Sequence, residues 1–140
     1  MPAPTSTQFA VAVHLLTYLA VARDMAPIGS PVLADSVSAT PEYVRRVLTP
    51  LRSAGVVTST SGAKGGWMLI QSPDSITLAD VRHILGTEEP LITMHGPNPK
   101  CDVGRAVAQG LADVERDLDV AVAKRLHETT IADLLPVVTP

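Results

Sequence analysis

Residues 40–69 limit what this chain can fold into more than any other stretch. Thr40-Pro41 places a capping hydroxyl before a proline at the first helical position, which is a helix start signal. Val44, Val47, Leu48 and Leu51 then recur at helical spacing as one apolar stripe, and Ala54-Gly55 closes the helix. Pro50 falls inside the pattern and is expected to bend it or loosen one turn. Val56-Val57-Thr58-Ser59 and Trp67-Met68-Leu69-Ile70 read as two short strands. Between them, residues 60–66 carry three glycines and one lysine, the makings of a hairpin with a flexible tip.

The flanking segments complete an order of elements. Residues 8–23 are apolar nearly all round and rich in Ala and Leu, a helix broken by Asp24-Met25-Ala26-Pro27. Ser30-Pro31 repeats the start signal for a short helix over 31–37, and Thr77 caps another over 78–85. Residues 86–100 are interrupted by Pro90, Gly96, Pro97 and Pro99 and form a loop. A long helix over 102–126 follows, with Val103, Val107, Leu111, Val114, Leu118 and Ala121 as a sustained stripe, and Thr129 or Thr130 starts a last short helix. The fold class is therefore mainly α with a small β-hairpin: a winged helix-turn-helix plus a long helix. The expected division is 1–86 for the winged unit, 87–101 for a loop or hinge, and 102–140 for the long and C-terminal helices.

Composition removes several function classes. The most apolar stretch, residues 9–22, falls short of the about 20 residues a membrane span needs. Met1-Pro2-Ala3-Pro4 lacks a basic region followed by a cleavage site, so a cytoplasmic protein without a membrane partner is expected. Aromatic residues are only 3%, too few for a surface that stacks single-stranded bases. One cysteine supplies neither an intramolecular disulfide nor a four-thiolate site. No Gly-x-Ser-x-Gly elbow, His-Glu-x-x-His pair or dinucleotide glycine fingerprint occurs, so neither an enzyme nor a cofactor is expected. Residues 61–66 are not a phosphate loop either, because Lys64 is followed by Gly65 and leads into a strand.

Net charge is −3, but it is unevenly spread. Residues 40–67 hold Arg45, Arg46, Arg52 and Lys64 against Glu42 alone, a local +3, and the 7 basic and 13 acidic residues elsewhere leave −6. That asymmetry suits a small reader of double-stranded DNA. Thr40, Glu42, Tyr43 and Arg46 lie in the N-terminal half of the third helix, the half that reaches base edges in a major groove. Free N–H groups at Glu42 and Tyr43 suit a phosphate. Lys64 on the hairpin tip suits the minor groove, and Arg45 and Arg52 suit phosphates. A solvated helix face and a plain surface turn are the bland alternatives, and a winged helix used for protein contacts is the rival function.

Pro41-Glu42-Tyr43-Val44-Arg45-Arg46-Val47-Leu48, then Leu51-Arg52-Ser53-Ala54-Gly55-Val56-Val57, then Gly62-Ala63-Lys64-Gly65-Gly66-Trp67-Met68-Leu69 closely resemble the Rrf2 family of bacterial winged-helix transcription factors. The likeness also takes in Val32-Leu33-Ala34 and Ile76-Thr77-Leu78-Ala79-Asp80-Val81. It implies a DNA-binding regulator, mostly a repressor in this family, that works as a homodimer with its long helices packed together. A helix of this length spans about 37 Å and carries more apolar stripe than one small winged domain covers, and Gly110 midway permits close approach.

Two departures from the family stand out. Ser61 occupies the place where family wings usually carry an arginine, leaving Lys64 to replace it without the planar fork. Iron–sulfur members use three cysteines near this loop, whereas this chain has only Cys101. Cys101 opens the long helix beside Lys100, where helix dipole and cation favour thiolate and Asp102 opposes it. A one-cysteine redox or electrophile sensor is one reading, and a half-buried cysteine packing the loop is the other. His95, Cys101 and Asp102 match no common metal spacing, and no metal site is expected. A small ligand held by the loop remains a further option. His14 is expected to be a satisfied core histidine, with His83 and His127 on the surface.

Overall fold

The computed structural model describes residues 5–136. The described residues form five helices, α1 (Thr5–Val21), α2 (Ser30–Ser36), α3 (Pro41–Ser53), α4 (Leu78–Leu85) and α5 (Asp102–His127), and one hairpin of β1 (Val57–Thr60) and β2 (Gly66–Leu69). Short 3-10 turns lie at Arg23–Met25, Pro73–Ser75 and Ala132–Leu134. The hairpin is antiparallel, with Val57 opposite Leu69 and Thr60 opposite Gly66.

The core forms where the apolar stripes meet. α1 contributes Ala12, Leu15, Leu16 and Leu19, and α3 contributes Val44, Val47, Leu48 and Leu51, the four positions its periodicity singled out. Each buried Leu or Val stabilises the fold by about 1.5–3 kcal/mol, so this helix pair anchors the unit. The chain returns to it at the C-terminal end: Ile131 is fully buried, and its N–H donates to the carbonyl of Ile76 at 2.9 Å. Thr130 pairs with Thr77 in an isolated bridge, so the last short helix expected there is reduced to the turn at Ala132–Leu134. His14 is exposed on α1, not in the core, because the buried arc of that helix runs through Leu15 and Leu16 instead.

Caps explain most helix boundaries. Thr40 Oγ1 accepts from Tyr43 N–H at 3.2 Å. Thr77 and Asp80 form a reciprocal capping box, and Gly86 closes α4 in the left-handed region at φ 66°. Ser30 departs from the sequence reading. Gly29 is the N-cap of α2 and Ser30 lies inside the helix, its hydroxyl accepting from Trp67 Nε1–H at 3.0 Å. α3 continues through Pro50 to Ser53, with Pro50 lacking only the donor that would have met the carbonyl of Arg46.

β2 has a neighbour on its outer edge. Ile28 and Trp67 exchange two backbone hydrogen bonds, at 3.0 and 2.8 Å, so the wing is tied directly to the segment entering α2. No helix among the described residues is long and apolar enough to cross a membrane.

Candidate nucleic-acid interface

Of the four residues expected to read bases, Glu42 and Arg46 are exposed on α3, Tyr43 is half-buried against the core, and Thr40 is the N-cap just ahead of the helix. Glu42 and Arg45 form an exposed ion pair at 3.4 Å. The guanidinium of Arg46 lies over the ring of Tyr43, 5.2 Å from its centroid. Such exposed contacts are weak, about 0.2–1 kcal/mol each, so they orient these side chains without locking them. Thr40 belongs to the same turn, although its hydroxyl already accepts the Tyr43 amide.

The wing holds Lys64 at its exposed tip, two residues before the strand. Gly65 N–H closes the turn on the carbonyl of Gly62 at 3.0 Å. A Cβ on Gly65 would sit 2.2 Å from the carbonyl oxygen of Thr60, so this turn requires glycine. Arg45, Arg52, Ser59, Ser61 and Gly65 border an open groove of about 460 Å³ between α3 and the wing. Arg52, expected on a phosphate, is engaged within the protein: Nη1–H donates to Ser59 Oγ at 2.7 Å and the guanidinium covers Trp67, 5.4 Å from its centroid.

The loop between α4 and α5 is strapped along the long helix. Glu115 accepts from Leu91 N–H at 2.9 Å and Ile92 N–H at 3.0 Å, one oxygen to each. Arg105 donates to the Pro99 carbonyl at 2.7 Å. Pro97 packs so closely on Gly104 that an added Cβ would lie 2.8 Å from it. Sequence reasoning missed Glu115, yet a signal existed: it is the lone acid in the row Leu111, Glu115, Leu118, Val122, all half-buried on the inner flank of α5.

Cys101 is exposed and is the N-cap of α5, its Sγ accepting from Gly104 N–H at 3.3 Å. It is therefore not the half-buried packing residue of the alternative reading. Among the described residues, no three or more His, Cys, Asp or Glu side chains group into a metal site, so His95, Cys101 and Asp102 are not brought together.

The other flank of α5 is uncovered. Val103, Val107 and Val114 are 72%, 42% and 46% exposed, and nothing lies within 4 Å of a Cβ built on Gly110. No residue of this 26-residue helix is buried.

Comparison with known proteins gives one consistent picture. A family model for Rrf2, described as an iron-dependent transcriptional regulator, matches residues 5–136. YwnA of Bacillus subtilis is 30% identical over 131 residues, covering 93% of this chain and 96% of YwnA. CymR, an HTH-type transcriptional regulator of the same organism, is 30% identical over 134 residues, covering 92% and 87% of the two chains. The structure of B. subtilis CymR, titled the global cysteine regulator, superposes with a TM-score of 0.69 at 25% identity over 91% of this chain and 92% of CymR. A regulator structure from Lactobacillus plantarum reaches a TM-score of 0.76 at 29% identity, covering 91% and 86%.

Proposed function

The chain belongs to the Rrf2 family and is a DNA-binding transcriptional regulator, not an enzyme, and on that premise we propose that it is a homodimeric cytoplasmic repressor controlled by thiol chemistry at Cys101. The observation that carries the DNA assignment is the outward face of α3, where Glu42, Arg45 and Arg46 are exposed, Glu42 paired with Arg45 and Arg46 laid over Tyr43, whose ring is half-buried against the core. Arg46 takes a guanine edge, Glu42 accepts from a cytosine amino group, and Thr40 and Tyr43 complete the major-groove contact. Lys64 lies at the minor groove and Arg45 on a flanking phosphate. Arg52 is the weaker phosphate candidate, because Nη1 already donates to Ser59 Oγ and the guanidinium lies over Trp67.

Iron does not fit this chain. The iron–sulfur pattern needs several thiolates, and the sequence has one cysteine, Cys101, which is exposed; among the described residues no cluster of His, Cys, Asp or Glu forms a metal site. The chemistry left to Cys101 is its own. Its sulfur caps α5 beside the strapped loop, so oxidation or adduct formation there alters the first turn of α5, and losing such a cap costs about 1 kcal/mol.

Fluorescence anisotropy on a randomised duplex pool, then on a selected operator, tests the DNA contacts. Binding is expected to fall with salt at a log–log slope of about −0.9 per phosphate neutralised. Arg46→Ala is expected to relax base preference at a cost of about 1–3 kcal/mol, while Lys64→Ala weakens binding to all sequences alike. Equal loss of discrimination from both changes sinks the groove assignments.

The effector half has its own test. A mild oxidant is expected to weaken operator binding by the native protein about 5-fold, the scale of the lost cap, and to leave Cys101→Ser unaffected, since serine caps a helix at least as well. Binding indifferent to oxidant in both proteins removes Cys101 as the input and shifts the signal to a ligand held by the loop.

A further inference from the structure

We propose that Arg52 is a positioning residue of the DNA-reading surface, which sets the wing against α3 and does not hold a phosphate; this rests on the reading of α3 and the wing as the DNA-contacting elements. Arg52 lies in the last turn of α3. Its Nη1–H donates to Ser59 Oγ on β1 at 2.7 Å, and its guanidinium covers the Trp67 ring on β2. Trp67 is itself fixed. Its Nε1–H donates at 3.0 Å to the buried hydroxyl of Ser30 on α2, and its backbone exchanges two hydrogen bonds with Ile28. Four elements, α2, α3, β1 and β2, thus converge on one cluster.

A two-stranded hairpin has little stability of its own, so its direction depends on what it is fastened to. The fastening here uses two properties that only arginine combines, a flat cation for the indole face and a fork that reaches Ser59 at the same time. Arg45 and Lys64 differ from it. Arg45 pairs only with Glu42 on its own helix, and Lys64 stands exposed at the tip, so both can turn toward a phosphate. Arg52 cannot leave for a phosphate without releasing the wing that carries Lys64 to the minor groove.

The test is a salt series of operator titrations with native protein, Arg52→Ala, Arg52→Lys and Ser59→Ala, with tryptophan emission recorded alongside. Ser59→Ala is expected to bind about 3–10-fold more weakly, the scale of one hydrogen bond, and the Arg52 variants at least as weakly, since they also disturb an exposed cation–π contact. Ser59→Ala, which removes no charge, keeps the native salt slope, and Arg52→Lys does not rescue. Trp67 is the only tryptophan, so its emission is expected to shift to the red in both Arg52 variants. A slope flatter by about 0.9 in Arg52→Ala, with rescue by lysine and native binding by Ser59→Ala, makes Arg52 a phosphate ligand and overturns the proposal. Unchanged Trp67 emission overturns it as well. Native protein that binds no duplex overturns the DNA reading itself, a different failure from native binding that Ser59→Ala retains.

Discussion

Gly66→Ala is expected to lower unfolding stability by about 3 kcal/mol and to abolish operator binding, whereas Gly62→Ala in the same hairpin loses only about 1 kcal/mol. Both glycines have positive φ, 156° and 100°. They differ in what a side chain would meet. A Cβ at Gly62 points into open space, while one at Gly66 lies 2.3 Å from the carbonyl oxygen of Ile28 and 2.4 Å from its carbon. Those atoms belong to the backbone bridge between Ile28 and Trp67, so they cannot turn aside as a side-chain end could. Relief requires the bridge to open, which frees Trp67 from Ser30 and the wing from α2. With total stability of about 5–15 kcal/mol for a domain, the loss is a large share of it. Urea midpoints with unchanged m-values measure both variants. Equal midpoints for the two would show that φ alone matters at these positions and that the Ile28 contact does not hold the wing.

What could be read from the sequence was local. The caps at Thr40 and Thr77 each depend on neighbours within four residues, and both stand where the pattern put them. The α3 stripe was equally legible, because four apolar positions at helical spacing leave one inward face. Ser30 shows where local reading stops. Ser30-Pro31 and Thr40-Pro41 look alike along the chain, but the hydroxyl of Ser30 answers to a tryptophan 37 residues away. His14 misled for a related reason, since an all-apolar helix does not reveal which arc stays outside. Among the site residues, those with partners on their own helix were easier to place than Arg52 and Glu115. The destinations of these two, Ser59 and Trp67 for one and the Leu91 and Ile92 amides for the other, exist only once the hairpin and loop have folded back.

Val114→Glu is expected to turn the proposed dimer into a folded monomer and to weaken operator binding by at least about 100-fold. Within one protomer Val114 is not part of the core: it is 46% exposed on a helix that buries no residue, in line with Val107 and the open Gly110. Glutamate is also a good helix former, so α5 survives the change and far-UV circular dichroism is expected to stay native. A second copy packed on this stripe would have to bury that carboxylate near its own symmetry mate, without a partner charge, at a cost of several kcal/mol. The effect on DNA follows from linkage. Two half-sites engaged by joined winged units bind with an avidity that one unit lacks, commonly 10²–10⁴-fold, with no contact to a base altered. Gel filtration with light scattering gives the mass, and the operator titration gives the affinity. A variant that stays dimeric places the interface on another surface of the chain. A monomer that binds the full operator as tightly as native protein removes the two-half-site mode altogether. Monomeric protein that still binds a single half-site at native strength is the outcome that ties the apolar flank of α5 to avidity and leaves base reading to α3 and the wing.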